Sequence, residues 1–130
     1  MKPKILVIED NEQNLYLTTF LLEKSGCEIV PARSGPEGIE LAQRIPPDLI
    51  ILDIQLPEMD GYAVARALRQ NPMLALVPIV AVTSFAMVGD REQTRAAGCN
   101  AYIEKPINPD TFTREIKNHL PTRLASGGTT

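Results

Sequence analysis

Only two cysteines, a single histidine and no long apolar run occur among the 130 residues, and each shortage excludes a class of function. Cys27 and Cys99 have no metal-ligand spacing and no His or Cys neighbours, so they read as buried small hydrophobes in a reduced compartment. His119 is chemically able to accept a phosphoryl group. Beside Leu120-Pro121, however, it reads first as a favourable charge near a helix C-terminus. The segment Met1-Lys2-Pro3-Lys4 runs into a short apolar stretch that Glu9 and Asp10 cut off, which fits neither a signal peptide nor a membrane span. A cytoplasmic location with no membrane partner is the expectation. A basic excess is also missing: the net charge is -3 and the pI about 5.1, so nucleic acid is not expected as a partner.

What is present, 44% hydrophobic and 22% charged residues, suits one globular domain with a real core. That domain is expected over residues 1–120, with the small polar stretch 121–130 as a flexible tail. Ile5 to Ile8 reads as a buried strand, and Glu12 to Lys24 as a helix with Leu15, Thr18 and Leu22 on one stripe and Gly26 at its end. Cys27 to Ala32 is a weaker strand. Ser34-Gly35-Pro36-Glu37 has the form of a capping box opening a helix that lasts to about Arg44. Leu49 to Leu52 is a fully apolar strand ending in Asp53, and Asp60 caps a helix reaching Gln70. Val77 to Val82, a helix around Asp90 to Ala97, the strand Ala101 to Glu104 and a helix starting at Asn108-Pro109 complete the chain. Strand followed by helix, five times over, predicts an α/β fold: a doubly wound parallel sheet with helices on both faces.

In such a sheet the C-terminal strand ends share one edge, where ligands bind. The first, third, fourth and fifth strands would bring Glu9 and Asp10, Asp53, Thr83 and Lys105, respectively, to that edge. Three carboxylates repel one another unless a cation joins them, and a hard divalent ion such as Mg²⁺ suits oxygen ligands. A metal, an ammonium and a hydroxyl around one carboxylate are the parts needed for phosphoryl transfer to it: Lys105 and the metal offset charge, Thr83 donates a hydrogen bond, and Asp53 attacks in line. Taken singly, Glu9 and Asp10 also read as helix caps, Thr83 as a turn residue and Lys105 as a solvated charge. Pro106 allows a cis bond after Lys105.

Ile8-Glu9-Asp10-Asn11, the run from Leu52 through Asp53 to Gly61, Thr83-Ser84 and Lys105-Pro106 together resemble the receiver domain of two-component response regulators, over Lys4 to about Leu120. The resemblance implies a flavodoxin-like sheet of order 2-1-3-4-5 and Asp53 as phosphoacceptor. It also implies Mg²⁺ held by Asp10, Asp53 and the backbone carbonyl of Gln55 with help from Glu9. The donor would be a histidine kinase or a histidine phosphotransfer protein. Such a domain is not an enzyme in the turnover sense: it catalyses its own phosphorylation and slow dephosphorylation. Thr83 and Tyr102 match the switch positions. An acyl phosphate at Asp53 would draw the Thr83 hydroxyl inward, the Tyr102 ring would take the vacated space, and the surface of the fourth helix, fifth strand and fifth helix would change for a downstream protein target. Gln55 and Phe85 lie where the family tunes hydrolysis, and the ring at 85 predicts a slow rate.

Ten residues follow Leu120, so the expectation is a single-domain receiver of the cell-cycle or chemotaxis kind, or a receiver cut from a hybrid kinase. It would be a monomer or a weak, phosphorylation-dependent dimer. A phosphohydrolase would usually carry a second acid where Gln55 stands, and a flavin or nucleotide binder would need a phosphate cradle where Glu9-Asp10 would repel one. A scaffold that has lost phosphorylation is disfavoured by the full set of site residues.

Overall fold

A computed structural model describes residues 2–84 and 89–121. Strands β1 (Lys4–Ile8), β2 (Glu28–Ala32), β3 (Leu49–Asp53), β4 (Ile79–Thr83) and β5 (Ala101–Glu104) alternate with helices α1 (Glu12–Lys24), α2 (Gly35–Arg44), α3 (Gly61–Arg69), α4 (Asp90–Ala96) and α5 (Pro109–Lys117). The strands pair in parallel in the order β2-β1-β3-β4-β5, the expected flavodoxin-like sheet. The register sets Ile8 beside Leu52, Asp53 beside Val82 and Thr83 beside Glu104, so the C-terminal ends of the inner strands finish side by side.

Every residue of β3 and β4 is buried, because helices cover both faces of the sheet. Alternate residues therefore feed two cores. Ile5, Val7, Leu49, Ile51, Val80 and Val82 pack with Leu15 and Leu22 of α1 and with Phe112 and Ile116 of α5. Leu6, Ile8, Ile50, Leu52, Ile79 and Ala81 pack on the other face with Ala42 of α2, Val64, Ala65 and Leu68 of α3, and Ala97 after α4. The predicted stripe Leu15, Thr18, Leu22 is the buried face of α1.

Local chemistry starts most helices where expected. Asn11, Ser34, Asp60 and Asn108 each accept a hydrogen bond from a first-turn amide. The Ser34 capping box is completed one residue early, since the Glu37 carboxylate accepts from Arg33 N at 2.6 Å. Helix α4 follows Gly89 without a side-chain cap. Gly26 takes φ +96 just past the C-cap Ser25, closing α1 as read.

Beyond one-residue shifts at the ends of β1, α3 and α4, three boundaries differ from the sequence reading. Cys27 is buried but precedes β2, which starts at Glu28. Strand β4 starts at Ile79 rather than Val77. Val77 is taken up by the 3₁₀ turn Pro72–Leu74: its N–H reaches Leu74 O, its carbonyl accepts from Arg69, and Pro78 has no N–H to give the ladder. Helix α5 stops at Lys117, yet a tighter turn still buries Leu120. Cys27 and Cys99 are both buried and unpaired, and burial lifts the Cys99 thiol to about 11. The tail residues 122–130 lie outside the described residues, as does Phe85. Among the described residues no helix is long and apolar enough to cross a membrane.

Candidate functional site

Asp53 ends a strand that is hydrogen-bonded on both sides, and it is only 4% exposed. The acid and the residue after it are pinned by three hydrogen bonds. Ile54 N donates to Val82 O, Gly61 N donates to Ile54 O, and Gln55 N donates to Asp53 Oδ1 at 3.0 Å. The Gly61 contact needs glycine: a Cβ there would lie 2.5 Å from Ile54 Cα and 2.9 Å from Asp53 O, both backbone atoms. The glycine closing the β3–α3 turn therefore lets the chain fold back directly against the acid.

The edge of the sheet brings the expected groups together. Glu9, one residue past β1, is 5% exposed, and Asp10 beside it faces solvent. One carboxylate oxygen from each of Glu9, Asp10 and Asp53 falls within 4.8 Å of the others. Lys105, one residue past β5, reaches across: its Nζ lies 2.7 Å from Glu9 Oε1 and 3.4 Å from Asp53 Oδ2, with the side chain 9% exposed. It is thus no solvated loop charge, and its shorter contact is to Glu9 rather than to the predicted phosphoacceptor. Helix α1 takes its cap from Asn11, whose N–H also donates to Glu9 Oε2, so neither acid is needed as a cap. The Lys105-Pro106 bond is cis.

The electrostatics follow from this packing. Burial, then the adjacent Glu9 carboxylate, push the Asp53 carboxyl up to about 7, against the pull of Lys105 and of Gln55 N–H. One lysine does not offset three clustered acids. The donor set consists of carboxylate oxygens, two of them buried and one open to solvent, which fits a hard divalent cation such as Mg²⁺.

Thr83 closes β4 and is 1% exposed. Strand alternation places it on the α3–α4 side of the sheet, whereas Asp53 continues the series Leu49, Ile51 on the α1–α5 side. Gln55 connects the two. Its Nε2 donates to Thr83 Oγ1 and its Oε1 accepts from Ser84 N at 3.0 Å. The sequence reading placed Gln55 beside Asp53 but missed this side-chain link. The signal was in the register, because with Asp53 level with Val82, residues two further along each chain are neighbours.

Tyr102 is half-buried on β5, paired with Ala81 two positions below Thr83, and the Arg91 guanidinium of α4 stacks over its ring at 4.7 Å. Burial raises its phenol, with Asp90 and Glu104 adding to the shift and Arg91 opposing it. The neighbouring Tyr62 hydroxyl donates to Asp90 at 3.2 Å, a further tie between α3 and α4 that sequence reasoning did not find. Two clefts flank Tyr102. One of about 280 Å³ is lined by Arg91, Arg95 and Asn100, and another of about 370 Å³ by Glu104, Pro106 and Glu115.

Comparison with known proteins agrees with this layout. The response regulator receiver domain pattern matches residues 5–117. The chain is 46% identical over 120 residues to the polar-differentiation response regulator DivK of Brucella ovis, covering 92% of this chain and 98% of that protein. The DivK of Brucella anthropi is 45% identical over the same length, with the same coverage. Among solved structures, Vibrio cholerae chemotaxis protein CheY4 superposes with a TM-score of 0.88 at 26% identity, covering 92% of this chain and 100% of that one. The receiver domain of sensor histidine kinase PA1611 from Pseudomonas aeruginosa gives 0.83 at 32% identity, covering 91% and 97%; it carries a magnesium ion coordinated in the active site cleft.

Proposed function

The chain belongs to the response regulator receiver domain family, and from that premise we propose that Asp53 accepts a phosphoryl group from a histidine kinase or a histidine phosphotransfer protein in a Mg²⁺-dependent reaction. The observation that carries this is the convergence of Glu9, Asp10, Asp53 and Lys105 at one sheet edge around a buried carboxylate. Glu9, Asp10, Asp53 and the Gln55 carbonyl would hold the ion, which when bound neutralises the acids and lowers the cost of bringing a phosphoryl group to them.

The chain's own residues do the rest. An Asp53 oxygen attacks phosphorus as the bond to the donor imidazole nitrogen breaks, and that nitrogen keeps the electron pair. Lys105, held by Glu9 within reach of Asp53, offsets the charge on the transferred oxygens as a compact cation. Thr83 donates a hydrogen bond to one of those oxygens. Its inward movement, followed by Tyr102, is the route by which the surface of α4, β5 and α5 changes for a downstream protein. Gln55 and Phe85 set a slow loss of the phosphoryl group by hydrolysis. In this reading the protein is a cytoplasmic phosphoacceptor that binds protein partners, as a monomer or a weak phosphorylation-dependent dimer, with residues 1–120 as the signalling unit.

Incubation with acetyl phosphate and Mg²⁺ followed by intact mass measurement tests this. A single phosphoryl adduct is expected on the wild type and none on Asp53→Asn. An adduct on the variant, or none on the wild type, overturns the assignment.

A further inference from the structure

The Gln55 side chain stands between the acid and the switch hydroxyl, and its chemistry matches what it touches. The end of β4 presents one acceptor, Thr83 Oγ1, and one donor, Ser84 N–H. A side-chain amide offers a donor and an acceptor side by side on one rigid plane, without having to bind a proton, to meet such a pair. The orientation of the amide is set by its partners: Ser84 N–H can only donate, so Oε1 faces it and Nε2 faces Thr83. The backbone of the same residue is tied to the acid, because Gln55 N donates to Asp53 Oδ1. One residue thus grips the phosphoacceptor at one end and the Thr83 hydroxyl and Ser84 N–H at the other.

We propose that Gln55 is a latch: its amide holds Thr83 and Ser84 in the resting arrangement and must be pulled loose before Thr83 can turn to a phosphoryl group on Asp53. This rests on the assignment of Asp53 and Thr83 above. Gln55 is a positioning residue here, acting through Thr83 and setting how much of the energy of phosphorylation is spent before the α4 side of the sheet responds. The latch also joins the two faces of the sheet, since strand alternation carries Asp53 on from Leu49 and Ile51 on one face and Thr83 on from Ile79 and Ala81 on the other.

The latch makes two substitutions act in opposite directions. Gln55→Leu removes both side-chain links at similar size. Gln55→Glu keeps an acceptor for Ser84 but replaces the Nε2 donor with an oxygen, so the Thr83 hydroxyl must donate its proton to the introduced carboxylate and is withheld from the phosphoryl group.

The test uses the full chain with Mg²⁺ and beryllofluoride as the phosphoryl mimic, read by NMR at the Thr83 methyl and the Ser84 amide. Net hydrogen bonds of ordinary strength predict about fivefold to tenfold tighter beryllofluoride binding for Gln55→Leu than for wild type. The Thr83 and Ser84 signals of unliganded Gln55→Leu should already lie part of the way to their bound positions. Gln55→Glu should bind more weakly than wild type, with its unliganded signals shifted away from the bound positions. Gln55→Met, a second apolar variant, should follow Gln55→Leu and separates the latch from a folding defect of either one. Unchanged or weaker binding in both apolar variants, with Thr83 unmoved, refutes the latch. Asp53→Asn isolates the premise: if wild type binds beryllofluoride only through Asp53 but Gln55→Leu and Gln55→Glu bind it as wild type does, the latch fails while the phosphoacceptor assignment survives. Binding that persists in Asp53→Asn refutes the assignment itself, and the latch with it.

Discussion

Replacing Asp53 by asparagine should stabilise the metal-free protein, and should do so more as the pH rises. In the fold the Asp53 carboxyl is raised from 3.8 to about 7, so the native state binds its proton more tightly than the unfolded chain does. Below about pH 4 both states are protonated and the group contributes no difference. Between there and about pH 7 the unfolded chain ionises freely while the native chain resists, so stability falls with rising pH and the loss is complete above about 7. A shift of about 3 units at about 1.4 kcal/mol each sets an upper bound of about 4 kcal/mol. The side-chain amide of Asp53→Asn cannot ionise, and its carbonyl can still accept from Gln55 N–H, so the variant escapes the loss. Urea melts in EDTA at about pH 4.5 and about pH 8 measure the effect. With an m-value of about 1.5 kcal/mol/M, a gap of about 3 kcal/mol moves the midpoint by about 2 M. Excess Mg²⁺ at the higher pH should stabilise the wild type and narrow the gap. A variant no more stable than wild type at that pH, or a gain independent of pH, would refute the claim that burial, with Glu9 beside it, strains this carboxylate.

Two further outcomes follow from the same geometry. Lys105→Met removes the only cation within contact of Glu9 and Asp53 among the described residues, so metal-free stability at neutral pH should drop by about 1–3 kcal/mol and recover on acidification, as read by urea melts at about pH 5 and about pH 7.5. Gly61→Ala drives a Cβ into the backbone at Ile54, and should cost about 1–3 kcal/mol and weaken Mg²⁺ binding measured by calorimetry, whereas Gln70→Ala at an exposed position should do neither.

How far the chain could be read in advance depended on how local the cause was. Asp53 stood out because an apolar run that must be buried ended in an acid, and Ser34, Asp60 and Asn108 announced their helices because a cap is a matter of two or three neighbouring residues. Leu15, Thr18 and Leu22 needed only the helical period. The failures came where a distant side chain decided the outcome. Val77 looks like strand, but Arg69 reaches eight residues forward to claim its carbonyl. Lys105 does lie beside Asp53, at 3.4 Å, but that its shorter contact is to Glu9 is a detail no spacing states. The side-chain role of Gln55 depended on how β3 and β4 align, which no motif states although the strand register implies it.

The two-sided sheet has a consequence for how such a protein can diverge. Because α1 and α5 share one core and α2 and α3 the other, with a single layer of backbone between them, either side can be remodelled without refilling the other. Substitutions can accumulate around the acids on one side while the packing that holds Thr83 and Tyr102 on the other is kept. What the two sides share is the narrow crossing at the end of β3, where Gln55 touches both Asp53 and Thr83, so a substitution there is felt on both at once.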